Sequence, residues 1–356
     1  MIRVFAAYIM RSILVYTALV MSVLLVLIGL YMFVDQQSDV GVGRYGMFEA
    51  MVFVLCNLPD QAFSLLPVGG LLGALLALGN LARGSELIAM RAAGASVWRI
   101  AYWVAGAGLV LMTLTWIIGD YIAPQLEQFA YQQRMLAKSN QIQVSGAESL
   151  WAKDGNAFIA VQAQHSTDSY GGIYVLRFDD QHHLQSVAHA DAAKLLDNQR
   201  LQLRNFVETS FANDQTTVNK QPQTELTTSL SKDFIGAASK DPYQLTGNEL
   251  RNFIRHLRIN QLDTREYEIA WWSRIARTAS MLIIVMLAVP FSFGPMRSTG
   301  MGARMVVGIL LGSVFFLAAK LLSDAGTVFH LQPLFVAWMP TLLLAVVTSI
   351  AISRVR

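Results

Sequence analysis

The residues with most to offer another molecule lie between Arg83 and Trp98, in RGSELIAMRAAGASVW, a charged island between two apolar runs of membrane length. Its carboxylate, Glu86, stands between the guanidiniums of Arg83 and Arg91. The stretch holds no nucleophile and no metal-ligand spacing, so the chemistry it offers is recognition. Gly84 and Ser85 suit the end of one helix and the cap of the next. Glu86 then falls in a first turn where the helix dipole favours an acid, and Gly94 closes the segment. Leu87, Ile88 and Met90 are expected to form an apolar patch beside the charges, a knob for a partner protein to grip. The competing reading is an ordinary cytoplasmic loop whose arginines fix topology.

Other chemistry is sparse. The chain has no G-x-x-x-x-G-K-[ST], no H-E-x-x-H and no G-x-S-x-G, so neither an enzyme nor a cofactor is expected. His182-His183 beside Asp179-Asp180 reads as a solvated turn in preference to a metal pair. The single cysteine, Cys56, excludes an intrachain disulfide framework and reads as a small buried hydrophobe. Lys320 is the one cation inside an apolar run. Charges there are costly, about 2.5 to 3.5 kcal/mol at mid-membrane, but Lys320 lies near the end of its run with Asp324 four residues on. Snorkelling and a helical pair therefore account for it. Asp35, Asp39 and Arg44 are read as interfacial.

A chain that is 54% hydrophobic and only 14% charged is an integral membrane protein. Its net charge of +3 is too small for a nucleic-acid partner. Ser12 to Val34 is long enough to span, and is read as a retained helix and not a signal peptide. Met47 to Leu81 is interrupted by Pro59, Asp60, Pro67 and Gly69-Gly70, which suggests an interfacial helix up to Leu58 and then a kinked second span. Gly69, Gly73 and Ala77 put small residues on one face of it. Trp98 to Ile118, Ile275 to Phe293, Met305 to Leu322 and Leu334 to Ile352 complete six spans.

From about Gln125 to Glu266 the chain is polar and carries every lysine but Lys320. WAKDGNAFIAVQ reads as a hairpin about Asp154-Gly155, and Ile173 to Phe178 with Leu184 to Val187 as another. Turns are expected at Asp197-Asn198 and Asn213-Asp214. An antiparallel sandwich or jelly roll is the expected fold, leaving through an amphipathic helix with a capping box at Thr246 and Glu249. The expected organisation is therefore three spans with a cytoplasmic helix at 84–94 (1–124), an all-β domain with its exit helix (125–266), and three further spans (267–356). Arginines mark the N-terminus, the island, the GPMRSTGMGAR loop and the C-terminus. The positive-inside rule puts these in the cytoplasm and the β domain outside.

ELIAMRAAGAS resembles the coupling helix of export-type ABC permeases, where an acid, here Glu86, meets the nucleotide-binding subunit and a glycine, here Gly94, ends the helix. Lipoprotein-release and macrolide-export permeases share the motif but have four spans. Six spans with a β-jellyroll between the third and fourth resemble the LptF/LptG permeases of lipopolysaccharide export. The stretches FVDQ, LLGALLALGNLARGSELIAM, WAKDGNAFI and GPMRS point most to the G-type subunit. That resemblance implies a permease pairing with an F-type permease, a bitopic periplasmic subunit and a cytoplasmic ATPase dimer, with lipopolysaccharide as substrate. It also implies an ATPase-coupling set, Arg83, Glu86, Leu87, Met90, Arg91 and Gly94. A cavity set is implied as well: Phe33, Arg44, Phe63, Leu66, Arg304, Phe315, Phe316 and Lys320. The family often has lysines at the outer end of the first span, where this chain has Met32, Ser38 and Asp39. Arg44, Lys320 or a partner subunit is expected to supply that charge. A membrane-anchored scaffold for periplasmic partners is the non-transport alternative.

Overall fold

The computed structural model describes residues 2–138, 150–166, 169–179, 181, 183–197, 200–212, 215–227, 242, 245–293 and 300–355. The chain divides into two compact units, Met1–Gln141 with Glu268–Arg356, and Ile142–Tyr267.

The first unit is helical. Six helical segments are long and apolar enough to cross a membrane: Val4–Asp39, Met47–Arg83, Val97–Arg134, Arg265–Phe293, Gly302–Val328 and Pro333–Ser353. We call them the first to sixth spans. The second is the hub, most of it buried, whereas the first, fifth and sixth leave most of their apolar surface exposed. The small-residue stripe works as its spacing suggests. A Cβ on Gly73 would stand 2.5 Å from Thr17 Cα of the first span, so only glycine lets the two backbones come this close.

Two helices run further than the sequence suggests. Met47–Arg83 is one continuous helix with Pro59 and Pro67 inside it, so the expected break near Leu58 is absent. Each proline removes one intrahelical bond, but buried neighbours on this hub helix hold the axis. The third span does not stop at Pro124. It passes from Val97–Ile117 through a π-turn, Ile118–Ile122, into Ala123–Lys138. The Ala123 N–H donates to the Ile118 carbonyl. This wider turn leaves room for a proline that would clash in an ordinary helix. The polar character that begins near Gln125 therefore starts while the chain is still helical.

Between the first and second spans, the loop docks on this extension. The Arg44 N–H donates to the Ala137 carbonyl at 2.8 Å. The carboxylate of Asp39 is clasped by Arg134 and by Lys138, the latter at 2.6 Å. The Arg134 guanidinium also lies 4.9 Å from the Phe53 ring centre.

The second unit is a six-stranded antiparallel sheet ordered β1-β2-β3-β4-β5-β6, followed by the helix Gly247–Ile259. The strands are Leu150–Asp154, Ala157–Ser166, Ser169–Phe178, Leu184–Asp197, Arg200–Ala212 and Gln215–Thr227. The crossed connections of a jelly roll are not among the described residues. Both hairpins expected from turn residues are present, and Gly155, at φ +59°, supplies the left-handed residue of the first. Asn198, Asn213 and Asp214 lie outside the described residues. Ile159, Val161, Ile173, Val175, Leu201 and Leu203 are buried, as alternation along each strand requires.

The capping box forms as its sequence demands. The Glu249 N–H donates to Thr246 Oγ1 at 3.2 Å, and the Thr246 N–H to Glu249 Oε2 at 2.8 Å. At the other end of this helix, Asn260 Oδ1 accepts from the Gly155 N–H at 3.0 Å. That bond turns the Asn260 amide nitrogen toward His256 Nε2, 3.1 Å away. The helix end thus latches the first hairpin turn.

Candidate functional site

The island folds as a short helix, Glu86–Ala92, between the second and third spans. Its two ends are built differently. Gly94, at φ +89°, closes it, with the Gly94 N–H donating to the Arg91 carbonyl and the Ala95 N–H to that of Met90. At its start Ser85 holds φ +59° and gives no side-chain cap. A left-handed serine costs about 1–2 kcal/mol, so this entry is held by its surroundings and not by its own preference.

The apolar residues of the helix divide in a way the sequence does not reveal. Leu87 is 1% exposed and Met90 4%, both packed into the main core of the helical unit, while Ile88 is 41% exposed. Leu87 and Met90 are therefore anchors that fix the helix to its own chain, a correction to the expected patch of three. What remains outward is Arg83, Ile88 and Arg91, with Trp98 close by in sequence and also exposed. Glu86 is half-exposed, and the Tyr8 hydroxyl of the first span faces its carboxylate. The Arg91 guanidinium lies 5.7 Å from the ring centre of Phe293, at the end of the fourth span. The first and fourth spans thus join the second and third around the short helix.

The fifth span joins the same region through Arg304. This residue is only 4% exposed, and a Cβ on Gly79 would stand 2.5 Å from its Cζ. Gly79 is one turn from Arg83. The structure therefore groups Arg304 with the coupling residues and not with the cavity set, whose Leu66 is roughly 20 Å from Gly79 along the second span. Arg297, also in the glycine-rich loop, lies outside the described residues.

The cavity set separates further. Phe63 and Leu66 are 7% and 3% exposed, enclosed within the helical unit, and so do not present an open wall. Phe63 is covered by Arg274 and Arg277 of the fourth span, and Leu66 belongs to the main core. Burial of these side chains follows from their place on the hub helix, a property that hydrophobicity alone does not distinguish from lining a cavity. Phe33 and Phe315 are half-buried, and Phe316 is 45% exposed. The Arg44 and Lys320 side chains are exposed. Among the described residues neither makes an ion pair, so the expected Lys320–Asp324 pair is not formed.

Sequence reasoning overlooked Arg134 and Lys138. Their i,i+4 spacing on one helical face was the available signal. Asp39, in the position where the family often has a lysine, instead pairs with both of these cations and leaves the cluster net positive. Among the described residues no three His, Cys, Asp or Glu side chains are grouped to hold a metal ion, and His182 lies outside those residues.

Comparison with known proteins bears on both units. The family model for the lipopolysaccharide export system permease LptF/LptG matches residues 7–354. The lipopolysaccharide export system permease protein LptG of Haemophilus influenzae is 34% identical over 360 residues, covering 100% of each chain. The protein of the same name from Escherichia coli K12 is 32% identical over 336 residues, covering 94% of this chain and 93% of its own.

Proposed function

Because this chain belongs to the LptF/LptG family of lipopolysaccharide export system permeases, we propose that it is the G-type permease subunit of a transporter that lifts lipopolysaccharide from the inner membrane. The observation that carries this reading is the construction of the Glu86–Ala92 helix. Leu87 and Met90 bind it rigidly to the spans, while Glu86 is half-exposed and Ile88 and Arg91 are exposed. A chain with no nucleotide motif of its own needs such a handle to be driven from outside.

In this reading a cytoplasmic ATPase dimer grips the handle. Arg83, Glu86 and Arg91 meet it, and Gly94 sets the angle at which the helix leaves. Both termini lie in the cytoplasm and the sheet unit in the periplasm, as the arginine distribution favours. The exposed faces of the first and fifth spans take the F-type permease and the bitopic subunit, and leave Phe33, Phe315 and Phe316 for acyl chains between them. Each buried methylene contributes about 0.8 kcal/mol, so a many-chained lipid is held mostly by such faces. Arg44 and Lys320 are placed to meet headgroup phosphates, and Arg134 and Lys138 become available where a phosphate displaces Asp39. ATP supplies the difference in affinity between a cavity open to lipid and one that is closed.

Purification in mild detergent, with identification of every copurifying protein, tests the reading. An ATPase together with a second six-span permease supports it. Periplasmic proteins alone, with no ATPase, would favour the scaffold and overturn it.

A further inference from the structure

The second, third and fourth spans meet around one aromatic ring, far from the Glu86–Ala92 helix. Asp60 in the second span and Asp120 in the third are each 23 residues from the helix ends that flank that short helix, Arg83 and Val97. Both therefore stand at a matching height, about 35 Å along their axes. Phe63, one turn beyond Asp60, lies beneath two guanidiniums of the fourth span, 5.9 Å from Arg274 and 5.6 Å from Arg277. Against the same ring is the bare backbone of Gly119, where a Cβ would stand 2.5 Å from Phe63 Cδ2. Arg274 Nη1 donates to Asp120 Oδ1 at 3.1 Å, and Asp60 lies within electrostatic reach of both arginines.

The π-turn Ile118–Ile122 makes this meeting possible. It falls at Gly119 and Asp120, presenting one to the ring and the other to the guanidinium. Such turns are frequent at functional sites, and this one also admits Pro124. Lipid binding does not explain this one, since Phe63 is 7% exposed and the Arg274 side chain 15%. About 35 Å covers the full thickness of a hydrocarbon core, so this cluster stands near the membrane edge opposite the short helix. The same three spans carry the short helix at their opposite ends, through Arg83, Val97 and the Phe293–Arg91 contact.

We propose that Asp120 and Arg274 are positioning residues of the transport cycle, binding spans two, three and four at their far ends into one block. A displacement imposed on Glu86 then arrives about 35 Å away as a displacement of the whole block, and is not lost as independent tilting of three helices. This rests on the permease reading above. The first, fifth and sixth spans keep most of their surface exposed, the first and fifth each meeting the block at a glycine of the second, Gly73 and Gly79.

The test uses the complete transporter in proteoliposomes and reads lipid released per ATP hydrolysed. Loss of folding lowers both quantities together and leaves their ratio alone. Asp120→Asn should lower the ratio several-fold while assembly and hydrolysis persist, and exchanging the charges, Asp120→Arg with Arg274→Asp, should restore it. In a Cys56→Ser background, Asp120→Cys with Arg274→Cys should also show a low ratio. Joining the two thiols with a short bifunctional reagent should return it toward the parent value, because the block moves as one. The proposal is overturned if Asp120→Asn leaves the ratio unchanged, or if the cross-link halts release while hydrolysis continues. No ATP-driven release by the parent complex would instead overturn the permease reading, and this inference with it.

Discussion

Arg304 of the fifth span rests on the bare backbone of Gly79 in the second, with room for a guanidinium only because Gly79 has no side chain. The contact ties the beginning of the fifth span to the helix that carries the handle. Gly79→Ala would force a buried arginine to move. Overpacking of this kind costs about 1–3 kcal/mol, so the melting temperature in mild detergent should fall. An exposed helical glycine with open space around it, Gly302, is the control, and Gly302→Ala should not lower the temperature.

Leu87 and Ile88 are neighbours with opposite duties. Leu87→Ala removes a side chain from a packed core and should destabilise the protein by about 2–5 kcal/mol. Ile88→Ala should leave thermal stability within about 0.5 kcal/mol of the parent while reducing the ATPase recovered on purification. Unfolding curves and quantitative copurification separate the two. Equal loss of stability in both variants would contradict the assignment of anchor and contact.

The latch between His256, Asn260 and Gly155 should weaken in acid. Burial holds the His256 pKa below its ordinary value, against the opposing pulls of the Lys153 backbone and Asp154. The folded state therefore binds fewer protons than the unfolded one. Stability from this site is complete above the unfolded value of about 6.5 and declines as pH falls below it. Protonation would also set a donor against the Asn260 amide. Hydrogen exchange at the Gly155 amide, corrected for its intrinsic pH dependence, should show less protection at about pH 5.5 than at about pH 7.5. His256→Gln, which does not titrate, should show no such difference.

Arg44 and Lys320 are exposed cations that make no ion pair among the described residues. Replacing both by alanine should weaken binding of phosphorylated lipopolysaccharide by roughly tenfold, the effect of about 1.4 kcal/mol. Binding of the dephosphorylated lipid should not change. Equal affinity of parent and variant for the phosphorylated form would remove these residues from the headgroup site.

What the sequence made legible was what neighbours in the chain decide. Six apolar runs, the Asp154-Gly155 hairpin, the Thr246–Glu249 capping box and the closing glycine at Gly94 are each local signals with a local physical cause. The helix through Pro59 and Pro67 was not legible, because its continuity depends on the surrounding spans. Neither was the inward turn of Leu87 and Met90, since a two-turn helix has several apolar faces and only tertiary packing selects one. The same holds for the site. Glu86, Arg91 and Gly94 were readable from their spacing, whereas Arg304 joined them through Gly79, far away in the chain. The family resemblance implied Phe63 as a lipid wall, yet it is enclosed by Gly119, Arg274 and Arg277.

The central claim is that this permease is worked from outside through Glu86. It is tested most directly by measuring ATP-dependent release of lipopolysaccharide from proteoliposomes holding the assembled complex, with the parent chain and with Glu86→Ala. The account predicts release by the parent only when ATP is present. It also predicts release by the variant close to the level without ATP, although the variant inserts and folds. Release at the parent rate by Glu86→Ala, or release that does not require ATP, would contradict it.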